Sequence, residues 1–249
     1  MPARVHIIAG GTKGIGLESA IAVAEEGDTV ILGYRSDSAA AEQALARCAA
    51  LNITAIALAV DMGSPEGVAS LVAAAQETGL PFGHLVHSVG EVVPGNLTTM
   101  SPGDFAHALE ANGTSLLGLV RSALPHLEAG STVLYVTSRG GRAVYPGYGS
   151  LGPAKALAEA LVRYLAVELA PQGIRVNAFA PGAQDTGALR AVFGESTDAV
   201  LESSRAKNPM GRLVEPDDYR PLVRFISSPD AAMITGQVFY VHGGADLLS

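Results

Sequence analysis

The chain has 249 residues, 48% of them hydrophobic and 16% charged, with 24 acidic against 16 basic side chains and a formal net charge of −8. This length buries one sizeable core, the acidic balance argues against a nucleic-acid partner, and no apolar run approaches the roughly 20 residues of a membrane span. A single cysteine, Cys48, excludes an internal disulfide and suits a reducing cytoplasm.

The first residues, MPARVHIIAGG, run straight into a strand pattern without the longer apolar core expected of a signal peptide. Residues 5–9 are followed by Gly10, Gly11, Thr12, Lys13, Gly14, Ile15 and Gly16, then by an apolar-periodic stretch over 17–24. The pattern predicts strand, glycine turn and helix. Glycines at 10, 14 and 16 let the backbone approach a pyrophosphate, and the helix N-terminus offers free amides and the positive end of its dipole.

A second strand over 29–33 ends in Tyr34, Arg35 and Ser36. Sites that prefer NAD place an acid near this point. Here Arg35, with Lys13 across the glycine loop, predicts a contact to the 2′-phosphate of NADP(H). The alternative is that Asp37 takes the ribose and Arg35 is a solvated loop charge.

A helix over 38–51 leads to a third strand over 53–60, ending in Asp61 and Met62. Asp61 either accepts from an adenine amino group or, with Ser64 and Pro65, caps the helix over 65–78. Strands are expected over 84–89, 132–137, 174–179 and 237–241, and helices over 104–124 and 154–170. Such alternation predicts a parallel sheet covered by helices on both faces. No domain boundary or repeat interrupts it, so residues 1–249 are expected to form one domain. Residues 183–215, broken by Gly187, Gly194 and Pro209, predict a mobile flap with two short helical patterns.

The residues that carry chemistry cluster around 145–155. Tyr148 stands seven positions before Lys155, and Ser138 lies ten positions upstream of the tyrosine. A phenol, an ammonium and a hydroxyl are what a site needs to move a proton beside a reducible carbonyl compound. One helical turn before the lysine stands Leu151, which has no acid to give. Pro153 is tolerated only in a first helical turn, which puts Tyr148 on the loop before the helix. Tyr145 is the alternative phenol. Lys155 in that first turn works against the helix dipole and so needs a reason.

Taken together, GGTKGIG, Asp61, Asn112, Ser138, Lys155, RVNAFAPG over 175–182 and ITGQVFYVHGG resemble the classical short-chain dehydrogenases/reductases over the whole chain. The resemblance implies an α/β chain with a single Rossmann domain, a seven-stranded parallel doubly wound sheet, NADPH as cofactor and a homotetramer. It implies cofactor contacts from Gly10, Thr12, Lys13, Gly14, Ile15, Gly16, Tyr34, Arg35, Ser36, Asp61 and Met62. Ser88, Gly90, Lys155, Pro181, Gly182, Gln184 and Thr186 complete that set. Ser138 would make a polar contact and Asn112 would hold a water.

The departures narrow the resemblance. The family's common tyrosine position is Leu151 here, and the spacing of seven, with His87, Ser88, Val89 and Gly90 in LVHSVG, is similar to the enoyl-acyl-carrier-protein reductases. The standard glycine loop, RYLAVELAPQGIRVNA and QDTGAL resemble the bacterial type III enzymes most. This implies NADPH-dependent reduction of an enoyl thioester, linked to acyl carrier protein or coenzyme A, in fatty-acid or polyketide biosynthesis. Tyr148 would stabilise the enolate and supply or relay a proton. Lys155 would hold the nicotinamide ribose and favour ionisation of the phenol. Leu189, Val192, Phe193, Val200 and Leu201 would line an acyl channel, and Arg190, Arg205, Lys207 and Arg212 would attract a carrier protein. A ketoreductase of the same family and a catalytically weak dinucleotide-binding protein are the alternatives. His242, where relatives usually have aspartate, and His87, otherwise an ordinary core histidine, carry no assigned role.

Overall fold

A computed structural model describes residues 2–93 and 95–247. Seven strands, β1 (Val5–Ala9), β2 (Thr29–Tyr34), β3 (Thr54–Ala59), β4 (Phe82–His87), β5 (Thr132–Val136), β6 (Arg175–Pro181) and β7 (Val238–Val241), form one sheet in the order β3-β2-β1-β4-β5-β6-β7. Every pairing is parallel. The helices are α1 (Gly14–Val23), α2 (Ser38–Ala50), α3 (Pro65–Gln76), α4 (Pro102–Leu109), α5 (Ser115–Ala123), α6 (Leu151–Leu169), α7 (Gly187–Phe193), α8 (Thr197–Lys207) and α9 (Pro216–Ser227).

Alternate strand residues feed two separate cores, as the two-residue period of a strand requires. Ile7, Leu85 and Val133 meet Leu71 of α3, Leu119 of α5 and Val162 of α6 on one face. Ile8, Val30 and Leu134 meet Leu17 of α1 and Tyr219 and Val223 of α9 on the other. Because β1 is flanked by both β2 and β4, the strand order reverses there, and ligands of such sheets bind in the crevice outside the carboxyl ends of the strands.

Three elements differ from expectation. The helix over 104–124 is interrupted by a π-helical turn at Glu110–Thr114, with buried Asn112 at its centre. The fourth strand begins and ends two residues earlier than the apolar run suggests. Helix α9 was not expected at all. Glu215 and Asp218 cap it reciprocally, and Tyr219, Val223 and Ile226 form its buried stripe despite Pro221 within it.

Two histidines of β4, His84 and His87, both pushed down to about 3 mainly by burial, contribute an acid limit to the fold. His87 is fully buried on β4, and its Nε2 lies 2.7 Å from Ser115 Oγ. That hydroxyl donates to the Ala111 carbonyl at 2.8 Å, so it accepts from Nε2–H. Nδ1 has no partner. Burial, and secondarily the Lys155 charge, push the imidazole down to about 3. The unfolded chain therefore takes up this proton first, near pH 6.5, and stability falls from there toward the folded value by at most about 1.4 kcal/mol per pH unit. His87→Leu is expected to melt near the wild type at pH 7 and to lose less than the wild type between pH 7 and 5. Identical losses in thermal melts would show that His87 does not contribute to this limit.

Candidate active site

The turn between β1 and α1 is built for close approach. Gly10 takes φ +73°, and a Cβ there would fall 2.8 Å from the Ser88 carbonyl oxygen at the end of β4. Lys13 occupies the cap position of α1 without a side-chain cap bond, and no acid stands in the first turn. Its leading amides are therefore left to an anion. Above them, Cβ atoms built on Gly14 and Gly90 would meet only Thr186 Cγ2 at 3.7 Å and Ala188 Cβ at 3.4 Å. This open cradle fits a dinucleotide pyrophosphate. Thr12 is buried in the turn and Gly16 packs onto its backbone.

Tyr34 ends β2, with Arg35 and Ser36 in the bend beyond it. At the end of β3, Ser64 Oγ accepts from Gly67 N at 3.1 Å and so caps α3, while Asp61 Oδ1 accepts from Gly63 N at 2.8 Å. Capping thus falls to the serine. The Asp61 carboxylate stays exposed in the crevice, and Met62 is buried in the core. Neither predicted phosphate cation is unpaired: Lys13 Nζ meets Asp37 at 2.8 Å, and Arg35 is bound by Glu91.

A cavity of about 960 Å³ opens at the carboxyl ends of β4, β5 and β6. Ile15, Ser88, Gly90, Ser138, Tyr148 and Lys155 line its inner end, and Pro181, Gly182, Gln184 and Thr186 line the side below the flap. Leu189, Val192 and Phe193 of α7 and Val200 of α8 form its outer wall. Of the five apolar flap residues expected there, Leu201 is not among the lining.

Tyr148 sits in the turn just before α6, and its carbonyl accepts the amides of Leu151 at 3.1 Å and Gly152 at 2.8 Å. Its ring lies against Gly140, where a Cβ would come 2.6 Å from ring Cδ1. The Tyr148 hydroxyl is 3.0 Å from Ser138 Oγ, which also accepts from Gly140 N at 3.0 Å. Tyr145 stands edge-on to Tyr148 at 6.0 Å, with Arg139 over its ring. It lines the cavity, but the serine pairs with Tyr148. Leu151 is buried at the start of α6 and offers the cavity only hydrocarbon.

The helix starts three residues earlier than expected, so Lys155 is buried at the start of the second turn of α6, and its Nζ donates to the carbonyls of Val89 at 3.0 Å and Val136 at 2.9 Å. These bonds tie the chain leaving β4 to the end of β5, and the ammonium lies 4.8 Å from the centre of the Tyr135 ring. Burial pushes the amine down to about 7. The expected acidification of the phenol is corrected here. Burial raises Tyr148 above its ordinary value, and the Ser138 hydrogen bond only partly offsets that. Tyr148 is therefore a protonated donor near neutral pH.

The water-holding role implied for Asn112 also needs correction. Its side chain accepts from Glu91 N at 2.8 Å and donates to the carbonyls of Glu91 and Ala108, both at 2.9 Å. Its own carbonyl accepts from the Tyr135 hydroxyl. All its groups are engaged, so Asn112 positions the loop after β4 rather than facing the cavity.

Three contributors were not foreseen. Tyr135, the one phenol in the apolar run VLYV of β5, supports both Lys155 and Asn112. Glu159, one turn after the lysine, is a buried acid in a helix; it accepts from Thr137 Oγ1 at 2.8 Å and Arg142 Nε at 3.1 Å and so secures the loop bearing Ser138. Glu91 follows the glycine after β4. An isolated phenol or acid within an apolar pattern was the available signal for the first two. His242, unassigned before, lines the cavity beside Tyr240 and contacts Asp246 at 3.3 Å, which Arg139 also holds at 2.6 Å. The basic flap residues are largely neutralised: Arg190 pairs with Asp185, Arg212 with Asp218 and Arg205 with Glu202.

A family model described as Enoyl-(Acyl carrier protein) reductase matches residues 9–246. The NADPH-dependent aldehyde reductase-like protein of Arabidopsis thaliana chloroplasts is 30% identical, over 97% of this chain and 93% of its own. The 1-cyclohexenylcarbonyl-CoA reductase of Streptomyces collinus is 27% identical over 99% of this chain and 88% of its own. A short-chain dehydrogenase of Burkholderia cenocepacia, solved in complex with NADP, superposes with a TM-score of 0.87 at 27% identity, covering 98% of both chains.

Proposed function

Because this chain belongs to the short-chain dehydrogenase/reductase family, whose cofactor is a nicotinamide dinucleotide, we propose that it reduces the carbon–carbon double bond of an enoyl thioester with NADPH. The observation that carries this reading is the displaced phenol: Tyr148 pairs with Ser138 at 3.0 Å while Leu151 fills the nearer helical position. In an enoyl thioester the oxygen that gathers charge lies further from the hydride-accepting carbon than it does in a ketone, and a donor set back along the chain suits that separation.

The bound dinucleotide supplies the hydride. Gly10, Gly14 and the leading amides of α1 would hold its pyrophosphate, Asp61 its adenine, and Lys155 its nicotinamide ribose. Gln184 and Thr186 stand where the nicotinamide end would lie. Tyr148, kept protonated by burial, donates to the enolate oxygen as it forms. Ser138 holds the phenol and makes the second contact. Leu189, Val192 and Phe193 exclude water and receive an acyl chain. Since the flap's arginines are paired with acids, this surface offers little free positive charge to an acidic carrier protein. The homotetramer belongs to the same reading: Tyr164 and Val167 stand 71% and 75% exposed on α6, as interface residues do.

Carbonyl reduction is the second reading. A serine and a phenol converging at 3.0 Å also suit a ketone or aldehyde oxygen, and one relative is named for an aldehyde. NADPH oxidation with crotonyl and acetoacetyl thioesters decides between them. The expected result is at least about tenfold higher kcat/KM for the enoyl compound, a difference of about 1.4 kcal/mol in transition-state binding. Turnover confined to the keto compound would assign the chain to carbonyl reduction, and NADPH binding with no turnover on either would favour a binding protein.

A further inference from the structure

The Glu91 carboxylate is fixed before any ligand arrives. One of its oxygens contacts the Arg35 guanidinium and also lies 2.9 Å from His107 Nε2. Its backbone is clamped in both directions by the Asn112 side chain, at 2.8 and 2.9 Å. His107 is itself seated, since a Cβ on Gly63 would come 2.6 Å from its Cε1. The Asp61 carboxylate completes the group, with ligand-type atoms of Asp61, Glu91 and His107 within 4.8 Å of one another. The Lys13–Asp37 pair is looser, its side chains being 60% and 46% exposed.

We infer that Glu91 holds down the affinity for NADPH, as a built-in counter-anion that occupies Arg35 and opposes the 2′-phosphate. The inference rests on the reading of Arg35 as the phosphate contact. A phosphate monoester brings nearly two negative charges at pH 7. Placed on Arg35, it meets a carboxylate already bound to the same guanidinium, and like charges sharing one cation repel. Arg35 is 58% exposed and is free to swing outward, whereas Glu91 is 17% exposed and its backbone is held by Asn112. His107 keeps the carboxylate in place when the arginine turns away. NADH carries no charge at this position and escapes the opposition.

The test is calorimetric titration of 2′,5′-ADP and 5′-AMP, repeated with NADPH and NADH, on the wild type, Glu91→Gln and Arg35→Ala, with Glu91→Ala as a second removal of the charge. The two Glu91 variants are expected to bind 2′,5′-ADP and NADPH about tenfold more tightly, with 5′-AMP and NADH changed less than about twofold. Arg35→Ala should weaken only the 2′-phosphorylated ligands. If Arg35→Ala weakens 2′,5′-ADP while both Glu91 variants leave it unchanged, the counter-anion role is overturned and the cofactor reading stands. Should the Glu91 variants bind the phosphate more weakly, Glu91 serves to hold Arg35 in place. Weaker NADH binding in those variants would make Glu91 a ribose ligand. If Arg35→Ala changes nothing, the cofactor reading itself fails, and the inference with it.

Discussion

Tyr148→Phe is expected to lower kcat on the preferred substrate by about 10²–10⁴-fold, the usual worth of a positioned general acid, while NADPH binds within about twofold of the wild type. The separation follows from where the hydroxyl points. It meets Ser138 Oγ inside the cavity and is not among the bonds that hold Lys155, which go to Val89 and Val136. The ring's own packing against Gly140 survives the change, so the fold should not move. Tyr145→Phe is the matched control, because its phenol lines the same cavity. Stopped-flow turnover with a parallel fluorescence titration of NADPH reads both quantities. A large loss in Tyr145→Phe with Tyr148→Phe near normal would transfer the donor role to Tyr145.

Gly16→Ala is expected to cost several kcal/mol of stability and to remove measurable NADPH binding, whereas Gly14→Ala should fold and bind more weakly. A Cβ on Gly16 would fall well inside contact distance of the Gly10 carbonyl oxygen, with the backbone of Gly11 close behind. Neither atom belongs to a flexible side chain, so the turn must open, and it does so at the junction of β1 and α1. Overpacking of this kind costs about 1–3 kcal/mol in an ordinary core and more where backbone must move. Gly14 is different. Its φ of +51° costs alanine about 1–2 kcal/mol, but the space above it is open, so the new methyl intrudes only on the ligand's cradle. Thermal melts with and without NADPH separate the two. Equal melting of both variants would show that the turn relaxes more easily than its packing implies.

Much of this architecture was legible in the sequence because its signals are local. The βα alternation implies the sheet class, the glycines announce the first turn, and residue type and spacing single out Ser138, Tyr148 and Lys155 while leaving Tyr145 open as the phenol. Pro153 correctly placed Tyr148 outside α6. In helix α9, Tyr219, Val223 and Ile226 recur at helical spacing, but Pro221 and four charged residues mask the pattern. Partnerships over long sequence separations were beyond reach. Nothing local says that Arg35 meets Glu91, that Tyr135 supports Lys155, or that Asn112 spends its side chain on the Glu91 backbone. Two expectations about electrostatics differ from the structure for separate reasons. Charge at Lys155 depends on burial, whereas the acids that pair with the flap's arginines stand only three to six residues away in sequence.

The flap helices bury almost nothing of their own. Helix α7 has no buried residue and α8 has only Thr197, yet Leu189, Val192, Phe193 and Val200 face the cavity. Under the proposed function they form half of an apolar layer whose other half is the acyl chain. Acyl-chain binding should therefore carry a negative heat-capacity change that grows with each methylene and exceeds what the chain's own surface accounts for, because the flap's hydrocarbon is dehydrated at the same moment.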